Sequence, residues 1–146
     1  MQLIVITDND LLNNETAIIN ELFSKGLQRL HIRKYSLSVD ELSNYIAQIA
    51  PQHHSKLVIC NHYELLNQYQ LGGAHVNIYQ RNDATAWNAI NKHLPISLST
   101  SFHSWQEFTN ADYDYQYAFI SPVFDSISKS GYKAAIDLSG ANKTKN

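Results

Sequence analysis

Short apolar runs alternate with amphipathic segments along most of the chain. Six runs have the length and the β-branched or aromatic content of strands. They are Leu3–Thr7, Leu27–Ile32, Lys56–Cys60, Ala74–Ile78, Ile96–Leu98 and Tyr117–Ile120. The first, LIVIT, is apolar on both faces, which is typical of a buried strand. The second alternates, with Leu30 and Ile32 on one face and the polar Arg29, His31 and Arg33 on the other.

Helical spacing of apolar residues fills the segments between these runs. The clearest helix follows Ser38, because Glu41 three residues later completes a capping box and Pro51 closes the segment. Its apolar stripe consists of Leu42, Tyr45, Ile46 and Ile49. The other predicted helices are Asn14–Lys25 before Gly26, a short helix capped by Asn61 and Glu64, Asp83–Lys92, and a short helix opened by Ser104 and Glu107.

The regular strand–helix order predicts a parallel sheet joined by right-handed crossovers. A doubly wound sheet and a TIM-type barrel both fit this order. No glycine-rich G-x-G-x-x-G segment follows the first strand, which argues against a dinucleotide-binding fold. We expect a single domain over residues 1–146, with a partial barrel at 3–132 and a polar tail at 134–146.

Composition narrows the functional classes. The 146 residues carry a formal net charge of −2 and 16% charged residues, so we expect neither a nucleic-acid-binding nor a membrane-binding surface. The apolar run near the N-terminus is far too short to span a bilayer. Cys60 is the only cysteine, which excludes a disulfide framework and favours a reducing cytoplasm.

Polar side chains follow every predicted strand. In both candidate architectures the active site lies at the carboxyl ends of the strands. The residues there include Thr7, Asp8, Arg33, Lys34, Asn61, His62, His75, Asn77, Ser99, Ser101 and His103. If these strand ends meet, they form one binding site with two or three cationic side chains. Such a site suits a phosphorylated, anionic small molecule. Arg33 would bind that anion or belong to an interior ion pair. His103 follows a strand end and precedes a capping box, and it is a candidate site residue because a histidine can act near neutral pH. His31 and His75 are packed interior histidines or site residues.

The loop after the sixth predicted strand has the composition of a phosphate-binding loop. Ser126 and Ser128 offer hydroxyls two residues apart, and Lys129 adds a compact positive charge. Gly131 allows the backbone to turn its N–H groups toward an anion. The alternative is a serine-rich surface loop without a ligand.

Six segments together resemble the thiamine phosphate synthase family, a group of TIM barrels that includes the thiazole tautomerases. The segments are LIVITD, LHIRK, ICNHYEL, GGAHVN, STSFHSWQE and SPVFDSISK, which cover residues 3 to about 132. Each is weak alone, but they occur in the family's order and each lies at a predicted strand end. The resemblance implies an α/β fold, a TIM-type (β/α) barrel truncated to about six β/α units, whereas eight units usually need about 200 residues or more.

The resemblance also implies a reaction and its site residues. The family ionises an aminopyrimidine pyrophosphate, and the nitrogen of a thiazole phosphate captures the cation. The resemblance implies catalysis by His103 and Arg33. It implies substrate or phosphate binding by Arg33, Lys34, Asn61, Ser101, Ser126, Ser128 and Lys129. The expected partners are phosphorylated thiazole and aminopyrimidine molecules. We also expect a homo-oligomer, because six parallel strands leave two open edges.

Three departures from the family pattern bear on the reaction. The family binds Mg²⁺ through an acid after the asparagine of ICNHYEL, and here that residue is His62, a poor ligand for a hard cation. A pyrophosphate-binding lysine is replaced by Tyr35, and the last two barrel units are absent. We therefore expect no cofactor, with Mg²⁺ only if synthase activity is retained. Two alternatives remain, a metal-independent thiazole tautomerase and a non-catalytic family member.

Overall fold

The fold is α/β, and its six strands run in sequence order across one parallel sheet. The structure is a computed structural model that describes residues 3–93, 95–111, 114–125, 127, 131 and 133–138. The strands are β1 Ile4–Ile6, β2 Arg29–Ile32, β3 Leu57–Ile59, β4 Gly73–Val76, β5 Ser97–Phe102 and β6 Tyr117–Ile120. Their order is β1-β2-β3-β4-β5-β6. The predicted TIM-type fold with about six β/α units is confirmed.

Helices connect the strands as the sequence predicts. They are α1 Glu15–Ser24, α2 Val39–Ala47, α3 Leu65–Gln68, α4 Ala84–Asn91 and α5 Trp105–Thr109, with 3₁₀ turns at Pro51–Lys56 and Gln80–Asn82. The capping box of α2 is confirmed, because the Ser38 hydroxyl accepts the Glu41 N–H and the Glu41 carboxylate accepts the Ser38 N–H at 2.8 Å. The cap predicted for α3 is wrong. Its N-cap residue, Glu64, makes no side-chain cap, and the Asn61 amide donates to the Lys34 carbonyl instead.

The chain divides into two compact units, one up to Leu98 and one from Ser99. In the first unit, the predicted stripe of α2 is buried, and so are Leu30 and Ile32 of β2 and Leu57 and Ile59 of β3. Gly73 lets the start of β5 lie close to β4, since a Cβ there would lie 2.5 Å from the Ser97 carbonyl oxygen. The prediction of a single domain stays a prediction.

In the second unit β5 pairs in parallel with β6, with Ser101 opposite Phe119. Phe102 is buried and meets the rings of Phe108 and Tyr115 edge to face. The Ser104 hydroxyl caps α5 by accepting the Glu107 N–H at 3.1 Å. No helix in the described part of the chain has the length and apolarity that crossing a membrane requires.

The burial predicted for the first strand is wrong. Leu3 is 65% exposed and Ile6 is 46% exposed, although Thr7 at the end of the strand is buried. The physical reason is the place of this strand at the edge of the sheet. Strand β1 ends the strand order and, among the described residues, pairs only with β2.

Candidate functional site

Arg33 follows β2 directly, and its cationic side chain forms no ion pair within the described part of the chain. Its backbone N–H donates to the Thr7 hydroxyl at 2.9 Å, which ties the end of β2 to the end of β1. The side chain is half-buried, and its Nε is buried without a hydrogen-bond acceptor. No carboxylate of the described residues forms an ion pair with it. A buried donor on a cation without a partner is costly, so the position favours an external anion.

Asn61 supplies an unused acceptor on the neighbouring strand end. Its Nδ2 donates to the Lys34 carbonyl at 3.2 Å, whereas its Oδ1 is buried without a donor among the described residues. Strands β2 and β3 are in parallel register, with Ile32 opposite Ile59. Arg33 and Asn61, one and two residues beyond that pair, therefore place an unsatisfied donor and an unsatisfied acceptor at adjoining strand ends.

Unlike the Arg33 side chain, the Lys34 ammonium is paired within the protein. Its side chain is fully buried, with Nζ at 2.7 Å from Glu15 Oε2 and at 2.6 Å from the Asp10 carbonyl oxygen. Nζ also lies 5.4 Å from the centre of the Tyr45 ring. Burial, with the Glu15 carboxylate second, raises the pKa of Tyr45 above its usual range, so that hydroxyl stays neutral. These contacts occupy the ammonium within the protein, and the predicted phosphate contact of Lys34 stays a prediction.

Tyr35 and Cys60 line the same strand ends. Burial raises the pKa of the Cys60 thiol to about 12, against the opposing effect of the Arg33 charge and the Tyr35 hydroxyl. Burial likewise raises the pKa of Tyr35, whose oxygen accepts from Asn77 Nδ2 at 3.5 Å. Cys60 therefore stays a thiol at neutral pH and is a poor nucleophile. The sequence placed Asn77 among the strand-end residues, whereas it pointed to Tyr35 only as the replacement of a family lysine. The signal for Tyr35 was its place directly after Lys34.

The residues near His62 do not fit Mg²⁺. The ring nitrogens of His62 face the Leu37 carbonyl at 2.8 Å and the Glu64 carboxylate at 3.7 Å, and its backbone is left-handed, with φ of 52°. The ring thus links two loops. The first acid after the GGAHVN segment, Asp83, caps α4 by accepting the Thr85 N–H at 2.8 Å. Among the described residues, no group of three or more His, Cys, Asp or Glu side chains could hold a metal ion.

Two histidines lie inside the first unit. His31 and His75 are 1% and 7% exposed, and their rings meet edge to face with centroids 5.3 Å apart. Burial, with the His75 and Arg29 charges behind it, lowers the pKa of His31 to about 3. Burial lowers the pKa of His75 to about 4. Both rings are therefore neutral at pH 7.

His103 lies in the second unit, after β5. Its backbone N–H donates to Glu107, and its Nδ1 lies 2.9 Å from the Ser121 carbonyl oxygen. Because a carbonyl can only accept, the neutral ring carries its proton on Nδ1 and presents a lone pair at Nε2. The ring is exposed, and Nε2 has no partner among the described residues. This tautomer suits proton transfer. Ser101 lies one position before Phe102 on β5. Ser126, Ser128 and Lys129 lie outside the described residues.

Comparisons with known proteins agree with this fold. The family model described as thiamine monophosphate synthase matches residues 3–146. A solved structure of thiamine phosphate pyrophosphorylase from Bacteroides thetaiotaomicron is similar, with a TM-score of 0.72 and 29% sequence identity. The match covers 84% of this chain and 59% of that one, so the chain spans well under two thirds of that relative's length. No curated protein matches the chain.

Proposed function

The chain belongs to the thiamine monophosphate synthase family, and from that membership we propose that it binds a thiazole phosphate at the carboxyl ends of its strands. The observation that carries the proposal is a pair of buried atoms at the ends of adjacent strands, Arg33 Nε after β2 and Asn61 Oδ1 after β3, neither of which has a hydrogen-bond partner among the described residues. A phosphate oxygen satisfies the buried Arg33 donor, and an N–H or O–H group of the ligand satisfies Asn61. The proposed location of the protein is the cytoplasm, where the buried Cys60 thiol stays reduced.

The reaction proposed for the family's synthases joins this thiazole phosphate to an aminopyrimidine pyrophosphate. That step needs a divalent cation to stabilise the departing pyrophosphate. The described residues around His62 do not fit such a cation, so we propose that synthase turnover is weak in this chain and derive no step through a metal.

The His103 tautomer favours a second candidate, a thiazole phosphate isomerase of the tautomerase kind. Such a reaction removes a proton from one ring atom and returns one to another, so it requires no co-reactant. His103 Nε2 would accept the first proton and donate it back. A non-catalytic protein that only binds the ligand is the third possibility, and it predicts binding without isomerisation.

Calorimetry with thiazole phosphate and with inorganic phosphate tests the binding proposal. A hydrogen bond to a charged group is worth about 1.5–3 kcal/mol, so Arg33→Ala should weaken phosphate binding roughly 10- to 100-fold. Lys25→Ala is the matched control, since it removes the same charge from an exposed pair on α1. Equal affinity of wild type and Arg33→Ala, or no binding at millimolar ligand, would refute the site.

Proton NMR of the bound thiazole phosphate then separates the catalytic possibilities. A tautomerase interconverts two ring isomers, and His103→Ala abolishes that conversion while phosphate affinity stays within about 3-fold. His93→Ala is the control, because His93 follows α4 in the other unit. Isomerisation that persists in His103→Ala would exclude the role of His103.

A further inference from the structure

Gln80 joins the ends of two neighbouring strands through its side-chain amide. The residue is half-buried and begins the 3₁₀ turn that follows β4. Its Oε1 accepts the Asn77 N–H at 3.0 Å, after β4, and its Nε2 donates to the Cys60 carbonyl at 2.9 Å, after β3. The oxygen and the nitrogen of one side chain are therefore both used on backbone groups, one at each strand end.

The bonds between Gln80 and Asn77 close the loop after β4. Asn77 Oδ1 accepts the backbone N–H groups of Tyr79 and Gln80 at 2.9 and 3.0 Å, while Gln80 Oε1 accepts the Asn77 N–H in return. This exchange has the pattern of a capping box, for which either glutamate or glutamine is suitable. The closed loop alone therefore does not explain why the residue is a glutamine.

The bond to Cys60 requires a donor, which a glutamine amide supplies and an ionised glutamate does not. The Tyr63 hydroxyl also lies 3.3 Å from the Cys60 carbonyl oxygen, but it lies nearer, at 2.7 Å, to the carbonyl oxygen of His75. Of these two side-chain donors, Gln80 is therefore the closer partner of Cys60.

Holding the Cys60 carbonyl fixes the direction in which Asn61 follows β3. The reason is that this carbonyl and the Asn61 N–H belong to one planar peptide group. The Asn61 side chain is held separately, since its Nδ2 donates to the Lys34 carbonyl at 3.2 Å. With its backbone and its amide both held, the buried Oδ1, which has no donor among the described residues, is kept in one place. A donor on a ligand then meets a preorganised acceptor.

We propose that Gln80 is a positioning residue of the phosphate site, acting on Asn61 Oδ1 through the Cys60–Asn61 peptide without touching the ligand. The role rests on the proposed function, in which Asn61 contacts the ligand. A glutamine that only closed the loop after β4 would have an effect independent of Asn61, whereas a positioning glutamine would not.

Calorimetry of the full chain with inorganic phosphate tests this role in a double-mutant cycle. Gln80→Met removes the amide without changing the charge, and it should weaken phosphate binding roughly 3- to 10-fold, as the loss of one neutral hydrogen bond does. In an Asn61→Ala background the same substitution should change the affinity less than about 2-fold, because the atom that it positions is gone. Gln68→Met is the control, since the exposed Gln68 amide donates to the Ser43 hydroxyl at 3.3 Å, and it should leave binding unchanged.

Gln80→Glu is the second variant, because it keeps the bonds with Asn77 and preserves the loop if Gln80→Met does not fold. Its carboxylate faces the Cys60 carbonyl as one acceptor against another, so phosphate binding should weaken at least as much as in Gln80→Met. The added charge also repels phosphate, but that repulsion persists in the Asn61→Ala background, and the part of the effect that disappears there is the positioning. Urea denaturation establishes that each variant is folded.

The possible failures are distinguishable. Wild-type affinity in Gln80→Met or Gln80→Glu, while Arg33→Ala weakens binding, would overturn the role of Gln80 and leave the site standing. An equal effect of Gln80→Met with and without Asn61 would overturn that role too, since the amide would then act elsewhere, and so would a Gln68→Met protein that binds as weakly as Gln80→Met. Absence of phosphate binding by wild type would refute the proposed function and the role of Gln80 together.

Discussion

The buried pair between Lys34 and Glu15 allows the sharpest test of how the strand ends are built. Lys34 is fully buried and Glu15 is 9% exposed, with the two charged groups 2.7 Å apart. Lys34→Met keeps the apolar stem but leaves a buried carboxylate without its cation. Breaking one side of a buried pair costs about 3–5 kcal/mol. That is a large share of the roughly 5–15 kcal/mol by which a domain is stable.

A double-mutant cycle measures the pair itself. Lys34→Met and Glu15→Gln should each be strongly destabilising, and the double variant should cost much less than the sum of the two. The exposed pair Lys25–Glu21 is the control, because its 2.6 Å distance is similar while its side chains are 69% and 61% exposed. Lys25→Met should cost less than about 1 kcal/mol. Urea denaturation followed by circular dichroism gives the free energy of unfolding of each of these proteins.

The same variants distinguish a structural lysine from a phosphate ligand. We propose that Lys34 positions the Arg33–Asn61 site, because its carbonyl holds the Asn61 amide and its ammonium holds the loop after β1. The double variant should then bind phosphate within about 3-fold of wild type. An affinity at least 10-fold weaker in a stable double variant would show a direct contact. A Lys34→Met protein no less stable than Lys25→Met would refute the burial argument.

Three further predictions follow from the site. The pKa values of His31 and His75 are lowered in the folded state, to about 3 and about 4, so protons bind the unfolded chain first. Stability is therefore complete above about pH 6.5 and falls toward pH 4. Each ring contributes a loss of about 2 kcal/mol at pH 5. Urea denaturation at pH 7.5 and pH 5.0 measures this loss, and equal stability at the two values would contradict it. Pyrophosphate release from the two synthase substrates with Mg²⁺ should be weak or absent, and a turnover of about 1 s⁻¹ or more would sink that expectation. Lys129→Ala should weaken phosphate binding roughly 10- to 100-fold, and less so at high salt, whereas calorimetry showing equal affinity would remove this loop from the site.

Local pattern was enough to predict the elements and their order. Apolar runs, the Ser38–Glu41 capping box and the stop at Gly26 act over a few residues, and the structure confirms all three. The alternation of strands and helices then predicted parallel pairing, since short crossovers permit little else. The six strand-end segments indicated the family that the family model confirms.

Long-range packing decided the chemistry of the individual side chains. Sequence could not distinguish Arg33 from its neighbour Lys34 as the available cation, because the choice depends on Glu15, 19 positions away along the chain and 2.7 Å away in space. The Asn61 amide was predicted to cap a helix, yet the facing carbonyl of Lys34 offered it a closer partner. Strand β1 is apolar enough to be buried, but its place at the end of the strand order leaves Leu3 and Ile6 exposed, and the apolar pattern of the strand alone does not carry that information.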